Sequence, residues 1–161
     1  MQIRVAVSAR HAHLTEATIE RLFGPHHGLH RLRDLSQPQE FASEETLTIA
    51  GPAGQISHVR VLGPPRHEDQ VEISRSDAVH LGIDAHARVS GDLHGTPGAT
   101  LIGPCGELLL THGVILAHRH IHMCPTDASR FGVHDRDVVA VLIDSDQRDL
   151  LFGDVVVRVS A

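Results

Sequence analysis

The chain has 161 residues, enough for one domain or two small ones, and 41% of them are hydrophobic, which is ordinary for a protein with a packed core. A formal net charge of −6 and the absence of Trp and Tyr argue against a nucleic-acid surface. No apolar run approaches the roughly 18 residues that suggest a membrane span, and two cysteines do not make a disulfide framework. The N-terminus lacks a signal-peptide pattern, so we expect a cytoplasmic protein.

The first part of the chain predicts a strand, a helix and a long loop. Ile3, Val5 and Val7 alternate with polar neighbours, as in a strand that begins near residue 2. Thr15 can cap a helix that Gly24 ends. Residues 25–45 lack any periodicity and predict a loop, whose histidines we interpret as solvated: His26, His27 and His30.

Two matching hairpins follow, and they indicate an internal duplication. Strands at 46–49 and 56–62 flank a Gly-Pro-x-Gly turn at 51–54. About fifty residues later the same turn recurs at 103–106, between strands at 100–102 and 108–110. With two final strands at 137–143 and 150–159, the sequence predicts a mainly β fold of two related small β-barrels with short helices, over residues 1–85 and 86–161.

A short unit with candidate metal ligands occurs three times. Residues 10–15 (RHAHLT) resemble 119–124 (RHIHMC), and residues 70–74 (QVEIS) make a third copy; a helix pattern follows each. His13, Glu72 and His122 hold the same position, just before the helix N-cap. Because alternate residues of a strand share a face, His11 joins His13 and His120 joins His122. Only metal-ligating residue types stand at the repeated position, which indicates a metal site.

The same residues also fit other interpretations. Strand–cap–helix repeats also build barrels without chemistry, and the chain has 15 histidines. Cys124 is either a third soft ligand or a replacement for a capping Ser. His-x-His also occurs in amidohydrolase barrels, but those need about 250 residues. A cupin is a further alternative, but no Glu follows either His-x-His at the expected distance.

Over nearly its whole length the chain resembles the PduL-type phosphate acyltransferases, also called phosphate propanoyltransferases. The motifs that carry the resemblance are VSARHAHLT, RDLSQPQEFASEETLTI, VRVLGPPRHEDQVEISRSDA, SGDLHGTPG and GVILAHRHIHMCPTDASRFGV. Ala9 departs from the family, which usually has Asn there. The resemblance implies two β-barrels, two zinc ions, and transfer of an acyl group between coenzyme A and phosphate.

The resemblance also implies roles for six residues. A first zinc, next to the sulfur of coenzyme A, would be held by His11, His13 and Glu72, and a second zinc by His120 and His122. Arg66 would bind phosphate, the other substrate beside the acyl-CoA. No Ser or Cys has an evident base beside it, so we expect phosphate to attack the thioester directly. The residues that bind coenzyme A are not identified by this resemblance.

The odd number of repeats leads to a further expectation. In the family, a C-terminal segment with a third histidine for the second zinc follows the point at which this sequence stops, at Ala161. We therefore expect the first zinc to be retained, the second to be weak or absent, and turnover to be low unless a partner chain completes the site. An unpaired strand edge favours a homo-oligomer. The alternative is a weak or inactive zinc- or coenzyme A-binding module derived from the enzyme.

Overall fold

The computed structural model describes residues 5, 7–37 and 39–160. In this part of the chain it is mainly β, with three short helices, as predicted. The helices are α1 (Glu16–Phe23), α2 (Arg75–Leu81) and α3 (Pro125–Phe131). The strands are β1 (His11–His13), β2 (Arg31–Asp34), β3 (Phe41–Ala50), β4 (Gln55–Gly63), β5 (Gln70–Glu72), β6 (Ala87–Arg88), β7 (Ala99–Ile102), β8 (Glu107–Leu110), β9 (Val114–Ala117), β10 (His120–Met123), β11 (Val138–Ile143) and β12 (Leu150–Val159). None of the described helices combines the length and apolar character needed to cross a bilayer.

The chain divides into two compact units, Met1–Ala117 and His118–Ala161. The first unit holds a curled nine-stranded sheet with the order β6-β9-β5-β1-β4-β3-β7-β8, and β2 pairs with β3. The predicted boundary between residues 85 and 86 falls inside this unit, between α2 and β6. Strands from both halves of the duplication share the sheet, because β7 pairs with β3 and β9 pairs with β5. Two related barrels are therefore not confirmed. The boundary between residues 85 and 86 stays a prediction.

Burial of apolar side chains fixes the register at the centre of the first sheet. Ala12 of β1, Val61 of β4 and Val71 of β5 are fully buried, as are Leu14 and Leu22 beside them. In a pleated strand, a buried residue turns its neighbours in sequence to the opposite face. With Ala12 directed into the core, His11 and His13 are both presented on the other face of β1.

The three helices begin and end as the repeat predicts. The side chains of Thr15, Ser74 and Cys124 each accept a hydrogen bond from a backbone N–H in the first turn of the helix that follows. Gly82 and Gly132 end α2 and α3 in the left-handed conformation, with φ of 69° and 68°. The Cys124 thiol is thus a helix cap, the second of the two interpretations given above.

Both predicted hairpins are present, and each turn ends against a helix. In the first turn, Ala53 N–H donates to the carbonyl of Leu81 at 3.0 Å; in the second, Cys105 N–H donates to the carbonyl of Leu22 at 2.9 Å. The two glycines allow this approach: a Cβ at Gly51 would lie 2.3 Å from the Leu81 oxygen, and one at Gly103 2.4 Å from the Leu22 oxygen. Each Gly-Pro-x-Gly turn therefore satisfies a carbonyl at the C-terminus of α2 or α1.

Two sequence predictions in the first unit were wrong. The strand expected at Ile3, Val5 and Val7 is not formed at Val5 and Val7, which are 58% and 98% exposed and so pack against little; Ile3 lies outside the described residues. The predicted loop 25–45 contains β2 and the start of β3. All of β2 is exposed, so it has no apolar period, and polar residues buried in β3 hide its alternation: Ser43 and Glu45.

The second unit contains a three-stranded sheet with the order β10-β12-β11. β12 pairs parallel with β10 and antiparallel with β11, which confirms the two predicted final strands. A small core of Met123, Ala128 and Val157 joins α3 to this sheet. β10, which carries His120 and His122, lies at the edge of the sheet order.

Candidate metal centre

His11, His13 and Glu72 come together in the first unit because β1 lies beside β5. In this antiparallel pair His11 is directly opposite Glu72, and the two histidine rings stand 5.0 Å apart, edge to face. His11 Nε2 is 3.4 Å from a carboxylate oxygen of Glu72. One candidate ligand atom from each of the three side chains lies within 4.8 Å of the others. The structure thus gathers three sequence-predicted ligands that are separated by up to 61 positions (72 − 11) in the chain.

Burial makes this group unusual for polar residues. His13 is 3% exposed and Glu72 7% exposed, while His11 is half-buried. Burying ionisable groups is costly unless they are paired, hydrogen-bonded or bound to a metal. A bound cation would offset the free-energy cost of burying these side chains. The group therefore has the features of a cation-binding site.

The orientation of His11 is set by the backbone. Its Nδ1 lies 2.8 Å from the carbonyl oxygen of Ala9, which fits an Nδ1–H donor. A neutral ring with that proton on Nδ1 directs the Nε2 lone pair toward Glu72 and His13, where a metal ion can bind it; in the protonated ring, Nε2–H donates to Glu72. The contact is made by the main chain at residue 9, so it survives the Ala that stands there in place of the family's usual Asn.

Electrostatics shift the pKa values of the two imidazoles in opposite directions. Burial and the nearby guanidinium of Arg66 lower the pKa of His13 to about 3, so its ring is neutral at physiological pH. Burial also acts to lower the pKa of His11, but the hydrogen bond and the charge of Glu72 more than reverse this effect and raise it. A neutral imidazole and a carboxylate are the forms that bind a metal ion.

Two residues that sequence analysis did not single out hold Glu72 in place. The buried Gln70 side chain donates from Nε2 to Glu72 Oε1 at 2.7 Å and to Ser90 Oγ at 2.8 Å. Its carbonyl oxygen accepts the backbone N–H of Gly91 at 2.8 Å. The signals were present in the sequence: Gln70 opens the third repeat copy, and Ser90 opens the glycine-rich stretch 90–98.

Arg66 lies next to the histidines and is anchored at both ends. Its backbone N–H donates to the carbonyl of Leu14 at 2.8 Å. Its guanidinium donates to Ser90 Oγ and to Glu40 Oε1, each at 3.2 Å. The side chain is one-third exposed, and its positive charge contributes to the low pKa of His13. A cation held there, with donors left over, is suited to an anionic ligand.

The donor set fits a zinc ion. Two imidazole nitrogens and one carboxylate oxygen are the protein ligands of many catalytic zinc sites, which keep a fourth position open. Ligands at about 2.0–2.2 Å from a tetrahedral ion stand roughly 3.4 Å apart, close to the separation of His11 Nε2 and Glu72 Oε2. Gln70 and the Ala9 carbonyl provide the outer contacts that orient such ligands.

The second predicted pair, in the second unit, is arranged like the first. The rings of His120 and His122 stand 4.8 Å apart, edge to face, and His120 Nδ1 lies 2.7 Å from the carbonyl oxygen of His118. His120 is half-buried and His122 is exposed. Among the described residues, two groups of three candidate ligands occur, and neither includes this pair. The second of those groups, His27, His30 and Glu45, was not predicted from the sequence.

Comparison with known proteins confirms the resemblance stated from the sequence. Residues 4–161 match the family model described as phosphate propanoyltransferase. A phosphate propanoyltransferase of Thermotoga maritima is 53% identical over 157 residues, 98% of this chain and 75% of that protein. The enzyme of that name from Salmonella typhimurium is 51% identical over 158 residues, with the same two shares, and the one from Levilactobacillus brevis is 48% identical over 157 residues, 98% and 74%. The chain therefore belongs to the phosphate propanoyltransferase family of transferases.

Proposed function

We propose that this chain interconverts an acyl-CoA and phosphate with an acyl phosphate and free coenzyme A, using zinc at His11, His13 and Glu72. The observation that carries the proposal is a buried His-His-carboxylate group with a half-buried arginine beside it. The relatives are named for propanoyl transfer, and both propanoyl-CoA and acetyl-CoA are candidate substrates here.

The protein's own residues bind and orient the reactants. A zinc ion in the open three-ligand site would supply a Lewis acid and a soft acceptor for the thiolate of coenzyme A. Gln70 and Ser90 keep the Glu72 carboxylate directed at the histidines, through contacts of 2.7 and 2.8 Å. The low pKa of His13 keeps its ring neutral and available as a ligand across the working pH range.

Arg66 is the candidate for phosphate binding. Guanidinium groups bind phosphate oxygens in a planar, bidentate way and stay charged. A phosphate oxygen held by Arg66 attacks the thioester carbonyl carbon; a C–O bond forms, the C–S bond breaks, and coenzyme A leaves as the thiolate. The contact of Arg66 with Glu40 must be shared or exchanged when the dianion binds, because both compete for the same N–H groups.

The surroundings of the cysteines and of Ser90 favour direct attack over an acyl-enzyme. Cys105 is exposed and its thiol lies 3.2 Å from the Phe23 carbonyl oxygen, while Cys124 caps α3. Ser90 receives donors from Arg66 and Gln70, neither of which can remove its proton. We therefore assign no covalent role to these three residues.

His120 and His122 are proposed as ligands of a second metal, in the second unit. Their two rings share one face of β10, and the backbone carbonyl of His118 orients His120 as that of Ala9 orients His11. Such an ion would be a second Lewis acid. The cytoplasmic location and the self-association expected from the sequence stay predictions.

The test is a coupled assay of zinc-loaded protein with propanoyl-CoA or acetyl-CoA. Thiol release should require phosphate and should be matched, mole for mole, by acyl phosphate trapped as a hydroxamate. Thiol release without phosphate would instead indicate a thioesterase. Without phosphate, labelled coenzyme A should not exchange into acyl-CoA, and mass spectrometry should find no acylated protein. As a control, the Cys105→Ser/Cys124→Ser variant should keep its activity, since a serine also caps α3.

A further inference from the structure

A second group of candidate metal ligands lies between the segment after α1 and strand β3. His27 Nε2 and His30 Nδ1 are 2.9 and 2.7 Å from the same atom, Glu45 Oε1. The two rings are 5.3 Å apart and nearly perpendicular. One candidate ligand atom from each residue lies within 4.8 Å of the others, as in the group formed by His11, His13 and Glu72.

The position of each side chain is fixed by its surroundings. The Glu45 side chain is only 6% exposed, in a strand where Ser43 is fully buried. His27 stacks on the ring of Phe23, with centroids 5.4 Å apart. The backbone N–H of His30 points at both carboxylate oxygens of Glu45, at 3.2 and 3.1 Å. The group is therefore prearranged, with the His30 ring 66% exposed and the His27 ring 25% exposed.

The backbone contributes a further tie between the same two segments. The N–H of Glu44 in β3 donates to the carbonyl of His30 at 2.8 Å, and within the loop itself the N–H of His27 donates to the carbonyl of Gly24 at 3.2 Å. The loop after α1 thus turns back and follows the start of β3 before it becomes β2.

We propose that His27, His30 and Glu45 bind a divalent cation of the zinc class, and that the ion fastens this loop to β3. The group shares no residue with the proposed catalytic centre, and the proposal does not depend on the proposed reaction. Two imidazoles and one carboxylate match the ligand preferences of zinc and cobalt, and not those of magnesium or calcium. The exposed His30 side leaves a fourth position for water.

The geometry needs only a small change to accept the ion. The separations of 2.7 and 2.9 Å are those of hydrogen bonds, whereas ligands of a tetrahedral zinc stand roughly 3.4 Å apart. Openings of about 0.5 Å at His27 and about 0.7 Å at His30, by small rotations of the two rings, make room for zinc in place of the two ring protons. The alternative is that both histidines only hydrogen-bond Glu45, in which case they bind no metal.

The experiment counts zinc in untagged, full-length protein. Metal-free protein is titrated with zinc against a chromophoric chelator, and elemental analysis follows dialysis. The His11→Ala background empties the first site, so that one tight zinc per chain should remain. Adding His30→Gln should weaken that zinc about 100-fold or more, beyond the 10- to 100-fold loss expected for an outer-shell contact. His30 is exposed, so this change should leave the fold intact.

A matched control and a second probe make the result decisive. His26→Gln alters an adjacent histidine that is 97% exposed and outside the group, and it should leave zinc affinity unchanged. With cobalt, the His11→Ala protein should show tetrahedral absorption bands that His27→Gln abolishes. Equal zinc affinity with and without His30, or cobalt bands that survive His27→Gln, would overturn the proposal.

Discussion

Two His-x-His strands with the same local sequence end in different surroundings. β1 has a neighbour on each side, β4 in parallel and β5 antiparallel, and β5 places Glu72 opposite His11. β10 is the edge strand of its sheet, with β12 in parallel; the residues opposite His120 and His122 are Val156 and Arg158. β12 is thus the counterpart of β4 in the second unit. In the first unit the carboxylate comes from the other neighbour of β1, the antiparallel strand β5.

This difference shows which part of the site is local and which is not. The paired rings and the main-chain carbonyl at the first histidine come with the short strand and recur in both units. The third ligand and the burial come from an antiparallel neighbour distant in sequence. A His-x-His motif therefore encodes half of a metal site, and the sheet order decides whether it is completed.

The largest effect should follow from removing His13. His13→Ala deletes a buried ligand and leaves Glu72 without its metal, so zinc affinity of the first site and phosphate-dependent turnover should each fall by more than about 100-fold. Metal titration with a competing chelator and the thiol-release assay measure the two quantities.

The matched variant in the second unit is His122→Ala. We expect it to leave the tight zinc of the first unit in place, because its ligands all belong to the other sheet. If His122→Ala removed the tightest zinc while His13→Ala did not, the ranking of the two sites would be reversed.

The next effect concerns Arg66. Arg66→Ala removes a charge-assisted bidentate contact, typically about 1.5–3 kcal/mol, so the KM for phosphate should rise roughly ten- to a hundredfold. The KM for acyl-CoA should change much less. Arg66→Lys keeps the positive charge but lacks the planar pair of N–H donors. Its KM for phosphate should therefore lie between those of wild type and Arg66→Ala. An equal rise for both substrates would mean that the Arg66 side chain supports the fold through Ser90 and Glu40 rather than binding phosphate.

A smaller effect should come from Gln70, which positions a ligand without being one. Gln70→Ala removes the donor to Glu72 Oε1, and zinc affinity should drop by about tenfold, the low end for such contacts. The side-chain contacts of Gln70 are all with residues of the first unit, so the change tests the first site alone. Unchanged zinc affinity, measured by the same competition titration, would show that the pairing of β5 with β1 suffices to hold the carboxylate.

The smallest expected effect is on stability, and it compares Asp77 in α2 of the first unit with Asp127 in α3 of the second unit. Arg10 binds both carboxylate oxygens of Asp77 in α2, at 3.0 and 2.8 Å, whereas the equivalent Arg119 binds Asp154 of β12 instead of Asp127 in α3. Asp77→Asn should therefore lower the free energy of unfolding by about 1.5 kcal/mol, and Asp127→Asn by about 0.5 kcal/mol. Chemical denaturation of the two variants gives the comparison.

The contribution of Asp77 should also depend on pH. Burial alone would raise the pKa of Asp77, but Arg10 and the Ser74 backbone N–H lower it below its usual value. The stabilisation is then fully present above the unfolded pKa of about 3.9 and is lost as the pH falls through the lower, folded pKa. The difference in free energy of unfolding between wild type and Asp77→Asn should shrink on acidification. A difference that grew would contradict this assignment.

Sequence reasoning found the ligands and the caps because these obey short-range rules. Thr15, Ser74 and Cys124 recur at one spacing before a helix, and the turns at 51–54 and 103–106 carry their own glycines. It missed β2 and the contacts of Glu45, because an exposed edge strand and a buried carboxylate break the expected apolar period. It also could not foresee that strands of both halves would join one sheet, since register between distant strands is set by packing.

The docking of each hairpin turn on a helix has a kinetic consequence. The turn at 103–106 closes on α1, which follows His13, and the turn at 51–54 closes on α2, which follows Glu72. Both ligand-bearing strands are thus secured by segments far away in the chain, and such contacts form late and slowly. A metal ion that needs the finished site acts after the transition state for folding. Its stabilisation should appear as slower unfolding, with little change in the rate of folding.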